Sequence, residues 1–466
     1  MLDEPPQKPP GRPHRMEAFR NVKTTVPRLL VGLALVLVTA GVARAEIVAY
    51  DQGPWRISFD GRANAYYSYE WGDAYPHWTA EQIASFNGMP PRVNSIIWNQ
   101  FTALPDQDPM MCMNGGLANG QPCTFATSRV HTGFVGNHFG FTVKKRITET
   151  LTATGRISLW WPIETDQYRG WSSMYPDPRE SYLKVEGWWG GLLAGRALGL
   201  HDRGGTSIDF LYANGHSVGN PCSATGQGPL CGFIGYGYQF PSFNAAFVYN
   251  TPLKGNGVQF SVGAYDPVRT GHQSVVLENT PYPRVESELT FTRKGGTTFF
   301  HLFVNGMWQQ AGGFIPDMVT GANVRITRQA LGVSGGGRLE IGGLKVGAVG
   351  NWDKGGGGRV GLADDIPVDN YGNLRVVTGG LGVAMYSFGV IDLSAGVGLT
   401  RVQQTSFDIT NHDDVVKNQL GMAGTFVYHL DSSMTWSLQY FHAEHQFWMG
   451  QIHRVNFVNT GMDFTW

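Results

Sequence analysis

The chain has 466 residues, of which 15% are charged, 12% aromatic and 63 glycine, with a formal net charge of −1. Charge this sparse beside 42% hydrophobic content excludes a disordered chain, and so much glycine speaks against a helix-rich enzyme. Glycine and aromatics together point to many strands, tight turns and interfacial rings.

The first element is an apolar run, Leu29 to Ala40, preceded by Arg20, Lys23 and Arg28 and followed by Ala43-Arg44-Ala45. Basic flank, short apolar stretch and small residues at the cut predict a signal peptide spanning 1–45, removed before Glu46. The run is too short for a membrane-spanning helix. Residues 1–15, crowded with Pro5, Pro6, Pro9, Pro10 and Pro13, read as a misassigned upstream extension, with Met16 the expected start. The leader carries seven basic and three acidic residues, so 46–466 keeps 28 and 33, a net charge of −5. No basic stripe survives, and nucleic acid is not an expected partner.

From Trp55 the sequence alternates with period two. Trp55, Ile57, Phe59, Gly61, Ala63, Ala65 and Tyr67 fall on one face; Arg56, Ser58, Asp60, Arg62 and Asn64 fall on the other. A soluble sandwich would turn the apolar face to a core, whereas a membrane barrel turns it to lipid and the polar face to a wet lumen. The pattern recurs at about 55–69, 128–143, 150–161, 179–189, 191–201, 241–250, 257–266, 283–294, 297–308, 322–335, 339–350, 373–387, 390–404, 417–429, 434–446 and 452–466, sixteen strands in all. Connections alternate between long segments and tight turns such as Gly190-Gly191, Lys294-Gly295-Gly296 and Phe388-Gly389. Aromatics cluster near predicted strand ends, at Trp160-Trp161, Trp188-Trp189, Tyr236, Tyr238, Trp448 and Trp466, and are expected to form two interfacial girdles. The last strand ends on Trp466, with Phe464 and Met462 on the same face, as a strand that pairs with the first and anchors at a lipid interface should. The expected fold is therefore all-β: a 16-stranded antiparallel transmembrane β-barrel over 46–466, with short periplasmic turns and long extracellular loops.

Cys112 and Cys123 lie close together, as do Cys222 and Cys231, each in a Gly/Pro/Asn-rich stretch. In an exported protein, local disulfides are the expected reading; four cysteines allow three connectivities, and proximity favours 112–123 and 222–231. Neither spacing is that of a zinc site. No His-Glu-x-x-His or phosphate-loop sequence occurs, and His442 and His445 fall on opposite faces of one strand. Neither an enzyme nor a cofactor is expected.

Leu193-Ala194-Gly195-Arg196-Ala197-Leu198-Gly199-Leu200, a long segment 202–240, and then Phe243 to Pro252 and Gly257 to Tyr265 follow one another in an order that resembles the Gram-negative general porins. So does the aromatic C-terminus. The resemblance covers the whole of 46–466 as architecture and is specific around 193–265. It departs at the tip of the long loop, where Cys222 to Cys231 replaces the family's Pro-Glu-Phe-Gly-Gly. It implies a third loop folded into the lumen, a homotrimer in the outer membrane in contact with lipid and lipopolysaccharide, and passive diffusion of small hydrophilic solutes and ions. It further implies a constriction where loop acids face a basic wall. Asp202 and Asp209 are the loop acids, Arg203 shares the loop, and Arg62, Arg129, Arg156, Arg179, Lys184 and Arg196 are the wall candidates. The competing expectation is a substrate-specific channel for sugar or anions, with Phe233, Tyr236, Tyr238 and Phe240 as an aromatic slide; an outer-membrane enzyme or a surface-binding barrel ranks below it.

Overall fold

The structure is a computed structural model; it describes residues 46–73, 124–133, 135–161, 163, 176–210, 232–253, 255–268, 277, 280–316, 322–356, 367–369, 371–411 and 415–466. The strands are β1 (Ile47–Gln52), β2 (Trp55–Asp73), β3 (Thr124–His131), β4 (Asn137–Arg146), β5 (Thr152–Trp161), β6 (Asp177–Gly187), β7 (Gly190–Leu198), β8 (Phe243–Asn250), β9 (Gly257–Tyr265), β10 (Arg284–Gly295), β11 (Thr298–Pro316), β12 (Asn323–Ile341), β13 (Leu344–Lys354), β14 (Val376–Ser387), β15 (Ile391–Val402), β16 (Val416–His429), β17 (Met434–Phe447) and β18 (Ile452–Thr465). Among the described residues two short helices, α1 (Arg203–Ile208) and α2 (Ser406–Asn411), lie in connections. Strands β4 to β18 pair with their neighbours in sequence, antiparallel throughout, and β18 returns to β2, which also pairs with β4. The β18–β2 ladder thereby closes the sheet into a ring, the form in which a bilayer-spanning wall avoids an open edge.

Eighteen strands make sixteen staves because two staves are split. The predicted single strand 128–143 is interrupted: β3 pairs with the upper half of β2 and β4 with its lower half. Between them Asn64 supplies the partners of Gly133, Val135 and Asn137. Its side chain accepts from the Gly133 N–H at 2.8 Å and donates to the Val135 carbonyl at 2.8 Å, while its own N–H donates to Asn137 Oδ1 at 2.6 Å.

The second split stave is the seam. Trp466 exchanges two backbone hydrogen bonds with Gly61, at 2.8 and 3.1 Å, and β1 takes over two residues further down β2, with Ile47 opposite Phe59. Strand β1 was not anticipated from the sequence. Its six residues are all exposed, too short and too uniform to show alternation.

Facing ranks behave as the alternation predicts. On β15 the outward rank is Leu393, Ala395, Val397 and Leu399, and the inward rank is Asp392, Ser394, Gly396, Gly398 and Thr400. Aromatics gather outward at both strand ends, as girdles do. Tyr386 with Phe388, Phe426 with Trp436, and Phe464 with Trp466 pack at the turn side; Tyr69 with Trp71 and Tyr282 with Trp308 pack at the loop side. Trp160, Tyr236 and Tyr238 depart from the expected girdles: Trp160 stacks on inward-facing His138, and the two tyrosines are buried in the lumen.

The wall is uneven. Strands β6 to β9 have 11, 9, 8 and 9 residues, whereas β11 and β12 have 19 each and run past the predicted ends at 308 and 335.

Candidate functional site

The lumen is shaped by what folds into it. After β7 the chain turns inward through Asp202, which adopts a left-handed conformation at φ 61°, into α1, and residues 232–240 return beside it. Ile208, Phe210, Phe233, Ile234, Tyr236 and Tyr238 are buried against Phe303, Val349, Leu381, Val383, Phe441 and Phe457 of the inner wall. Each such side chain contributes about 1.5–3 kcal/mol by leaving water. The wall makes room with glycine. A Cβ at Gly398 would stand 1.8 Å from the Tyr236 carbonyl, and one at Gly396 would stand 2.8 Å from the Phe233 ring. Within α1, Gly204 and Gly205 slot between the rings of Phe303 and Tyr238.

Polar anchors fix the same segment. Glu286 Oε2 accepts from the Leu200 and His201 N–H groups at 2.6 and 2.9 Å, and Arg284 Nε donates to Oε1 of the same carboxylate at 2.6 Å. Asp353 holds His201 Nε2 at 2.8 Å and the Gln239 side-chain amide at 2.7 Å. Asp202 accepts from the Gln239 N–H, and its own N–H donates to Asn305 Oδ1. Burial pushes the Asp202 carboxyl up to about 6. Burial opposes charge on His201, but the Asp353 carboxylate outweighs it and lifts the imidazole above its ordinary value, with Asp202 adding to the effect.

The constriction candidates separate into groups. Arg156 lies on the inward rank and is clamped by Asp60 (2.6 and 2.9 Å), Glu180 (2.8 Å) and Thr142 (3.0 Å). Arg62 faces inward 3.4 Å from Asp463. Lys184 faces inward 2.7 Å from Glu186. Arg179 reaches Asp177 at 3.0 Å and lies 4.7 Å over the Trp160 ring. Arg203 sits on α1 and holds Glu288 of β10 through a forked pair. The Arg129 backbone belongs to β3, and its side chain is outside the described residues, as are all four cysteines.

Three expectations are corrected. Asp202 and Asp209 are 0% exposed and so do not line open water; they hold the loop together, Asp209 by accepting from Tyr238 Oη at 3.0 Å and the Phe233 N–H at 3.2 Å. Arg196 pairs across β7 with Ser181 and Ala245, on the rank of outward Leu183 and Phe247. Register thus places it on the outward rank, and its guanidinium reaches Asp177, opposite Trp160 at the strand end, at 3.2 Å. The aromatics proposed as a slide, Phe233, Tyr236 and Tyr238, are buried at 5% exposure or less and pack the loop to the wall; only Phe240 keeps partial exposure.

Sequence reasoning missed the wall side of the anchor: Glu286, Glu288, Asn305 and Asp353. The signal was available, because each falls on the inward rank of its strand, where an acid has either water or a partner. It also missed a serine–histidine contact, Ser68 Oγ to His131 Nε2, with His131 Nδ1 2.7 Å from the Thr132 carbonyl. Ser68 is 0% exposed, which suits a tie between β2 and β3 rather than a nucleophile. His442 and His445 do point to opposite faces. His442 contacts Asn456 on the outer wall, and His445 contacts Tyr236 and His453 inside.

No family model matches the chain, and no curated protein sequence matches it. Solved structures do. The outer membrane channel DcaP of Acinetobacter baumannii aligns with a TM-score of 0.60 at 11% identity, over 90% of this chain and 100% of that one. An anion-selective porin from Comamonas acidovorans aligns with a TM-score of 0.53 at 12% identity, over 88% of this chain and 100% of the other. The fold is the porin barrel.

Two outcomes follow from the seated loop. Replacing Gly398 with Val drives a side chain into the Tyr236 carbonyl, at a cost of about 1–3 kcal/mol or more. The variant is expected to melt below the wild type and to show a larger unit conductance in a planar bilayer; an unchanged conductance would mean that 232–240 does not limit the path. The second outcome concerns pH. Asp202, raised from 3.8 to about 6, favours the seated state fully below pH 3.8 and loses that contribution as pH rises through about 6. His201, raised from 6.5, favours it fully below pH 6.5 and loses that contribution as pH rises through the raised value. The signs agree, so amide exchange across 201–209 and 232–239, corrected for intrinsic rates, should be slower at about pH 5 than at about pH 8. Asp202→Asn should remove the part of this difference that lies near pH 6.

Proposed function

We propose that this chain is an outer-membrane porin, a water-filled channel for passive diffusion of small hydrophilic solutes and ions. The observation that carries the reading is a closed barrel with an apolar outward rank between aromatic girdles and an inward rank of ionised and amide side chains. A polar interior enclosed by a lipid-facing wall serves no purpose for a sealed plug; selectivity in such a lumen comes from width and fixed charge. The described parts of the inward loop lean on the wall from β11 to β18, and the inward charges lie on β2 and β4 to β6. There Arg62, Arg156, Arg179 and Lys184 each stand beside a carboxylate, and Arg203 does so on the loop's side. Paired rather than segregated charge supports weak ion selectivity.

A second reading, a substrate-specific channel, has one observation in its favour. His138, Trp160, Phe243 and Phe240 form a continuous row of rings, with Arg179 lying over Trp160 and Phe243. That row is a surface on which a sugar ring or a planar anion would stack.

We also infer that 1–45 is a removed leader and that the barrel assembles as a homotrimer. Strand β1 starts at Ile47, two residues past the predicted cut, and occupies the seam next to Trp466. The low wall of β6 to β9 supports self-association. A spanning strand needs about 9–11 residues, and strands of 9, 8 and 9 barely reach that length. Covering this side with a second copy spares lipid the mismatch.

Single-channel recording of residues 46–466 in planar bilayers, with reversal potentials in a salt gradient, tests the channel reading. Large ohmic steps with a reversal potential near zero are expected. Saturation or block by one sugar or anion would move the assignment to the specific channel, and a folded barrel without conductance would remove transport altogether. Native mass spectrometry of the membrane-extracted protein is expected to give three copies of a chain starting at Glu46; a retained leader or a monomer would overturn the corresponding inference.

A further inference from the structure

The polar knot at the root of the inward loop has oxygens to spare. Among the described residues Asp202 Oδ1, Gln239 Oε1 and Asn351 Oδ1 have no hydrogen-bond partner, on side chains of residues only 0%, 2% and 8% exposed. Their orientation has a cause. The Gln239 amide donates to Asp353 Oδ2 at 2.7 Å, and the Asn351 amide nitrogen stands 3.5 Å from Asp202 Oδ2. An ionised carboxylate only accepts, so each amide turns its nitrogen toward the acid and its oxygen away. Asp202 Oδ2 also accepts from the Gln239 backbone N–H, so the three residues are in mutual contact. A fourth oxygen is close by. Asn351 of β13 lies opposite Gly379 of β14, where a Cβ would stand 2.5 Å from Asn351 Oδ1 and 2.8 Å from the Gly237 carbonyl oxygen. Glycine at 379 keeps open the space beside both.

Charge is unbalanced in the same direction. The described ion pairs give Glu286 an arginine, Arg284 at 2.6 Å, and Asp353 a histidine, His201 at 2.8 Å, and give Asp202 none. Buried polar atoms ordinarily find partners, and ionised ones most of all. A single water has two O–H groups and cannot donate to all of these oxygens. A cation can face every one of them, because carboxylate and carbonyl oxygens are the ligands of hard metal ions. One carboxylate among neutral oxygens matches a single positive charge, and carbonyl oxygens can stand in for an alkali ion's hydration shell. Among the described residues no three His, Cys, Asp or Glu side chains are grouped to hold a metal ion, so neither a zinc-type site nor a multi-carboxylate calcium site is the fit.

We propose that Asp202 Oδ1, Gln239 Oε1, Asn351 Oδ1 and the Gly237 carbonyl bind a monovalent metal cation, sodium or potassium, that locks the root of the inward loop to β13 and β14. Asp202 comes from the loop's entry, Gly237 and Gln239 from its return, and Asn351 from the wall, so one ion joins all three. The assignment concerns how the loop is seated and holds whether or not the barrel conducts.

The test uses the full barrel purified in detergent, at one fixed pH, in sodium chloride, potassium chloride or choline chloride of equal concentration. Choline is too bulky to enter among these oxygens. Amide exchange across 201–209 and 232–239 is expected to be slower in at least one alkali salt than in choline, by about tenfold where the ion stands at about ten times its dissociation constant. The comparison of sodium with potassium identifies the ion. Asp202→Asn removes the charge, and Gly379→Ala fills the space beside Asn351 Oδ1 and the Gly237 carbonyl; each should exchange at one rate in all three salts. The readout is a ratio between salts, so a variant that is merely less stable still answers. A crystal structure in the favoured salt should place the ion against the four oxygens. Equal exchange of the wild type in all three salts overturns the proposal, and so does water in the ion's place. An alkali effect that persists undiminished in both variants puts the cation elsewhere and overturns it as well.

Discussion

The structure depends on the ladder between β18 and β2. A strand in hydrocarbon has no water with which to satisfy its backbone, so one open edge would leave a row of unpaired amides and carbonyls, each costing several kcal/mol. The residues that prevent this come from opposite ends of the barrel sequence, with Val455 opposite Gly72 and Phe464 opposite Ala63. Every other pairing is between strands consecutive in the chain, apart from the β2–β4 step, and β2–β3 and β2–β4 both cross the long connection after β2. Side chains reinforce the closure on both faces. The Trp466 ring lies so close over Gly61 that a Cβ there would stand 2.3 Å away, and Arg62 faces Asp463 across the joint inside.

Given a closed wall, the interior is organised by a division of labour between its two sides. From β11 to β18 the inward rank offers rings, aliphatic groups and glycine gaps, and the inward loop is glued there. Along β2 and β4 to β6 it offers arginines, a lysine and carboxylates. The polar knot of His201, Asp202, Gln239, Glu286 and Asp353 lies where the chain turns from wall to lumen, and so sets the angle at which the loop enters. Hydrophobic burial supplies most of the holding energy and the buried polar contacts supply position, the usual allocation between undirected and directed interactions.

Much of this was legible in the chain. Leu393-Ser394-Ala395-Gly396-Val397-Gly398-Leu399 alternates so cleanly that strand, face and register follow from period two, and the stave count came out right because even the interrupted strand spans one stave. Less was legible where tertiary partners decide. The acidity of Asp202 and Asp209 is visible in the sequence, but their burial depends on Gln239 and Tyr238, a loop's length away. Arg196 sits between Gly195 and Ala197, two residues small enough for either face, so its direction was settled only by pairing with Ser181 and Ala245. Strand β1 depends on the seam, and the seam exists only once the barrel is closed.

That seam gives the wall the topology of a nicked ring. Trp466 and Ile47 occupy one stave, two places apart along β2, so the stave is continuous in space and broken only in covalent connectivity. In topological terms the nick lies within a stave rather than between two, and a hairpin turn on the same rim is another place at which the ring could be cut. The order of strands around the circle, rather than the position of the ends, is what defines this protein. A chain begun at another turn and joined through Trp466 and Glu46 would trace the same ring.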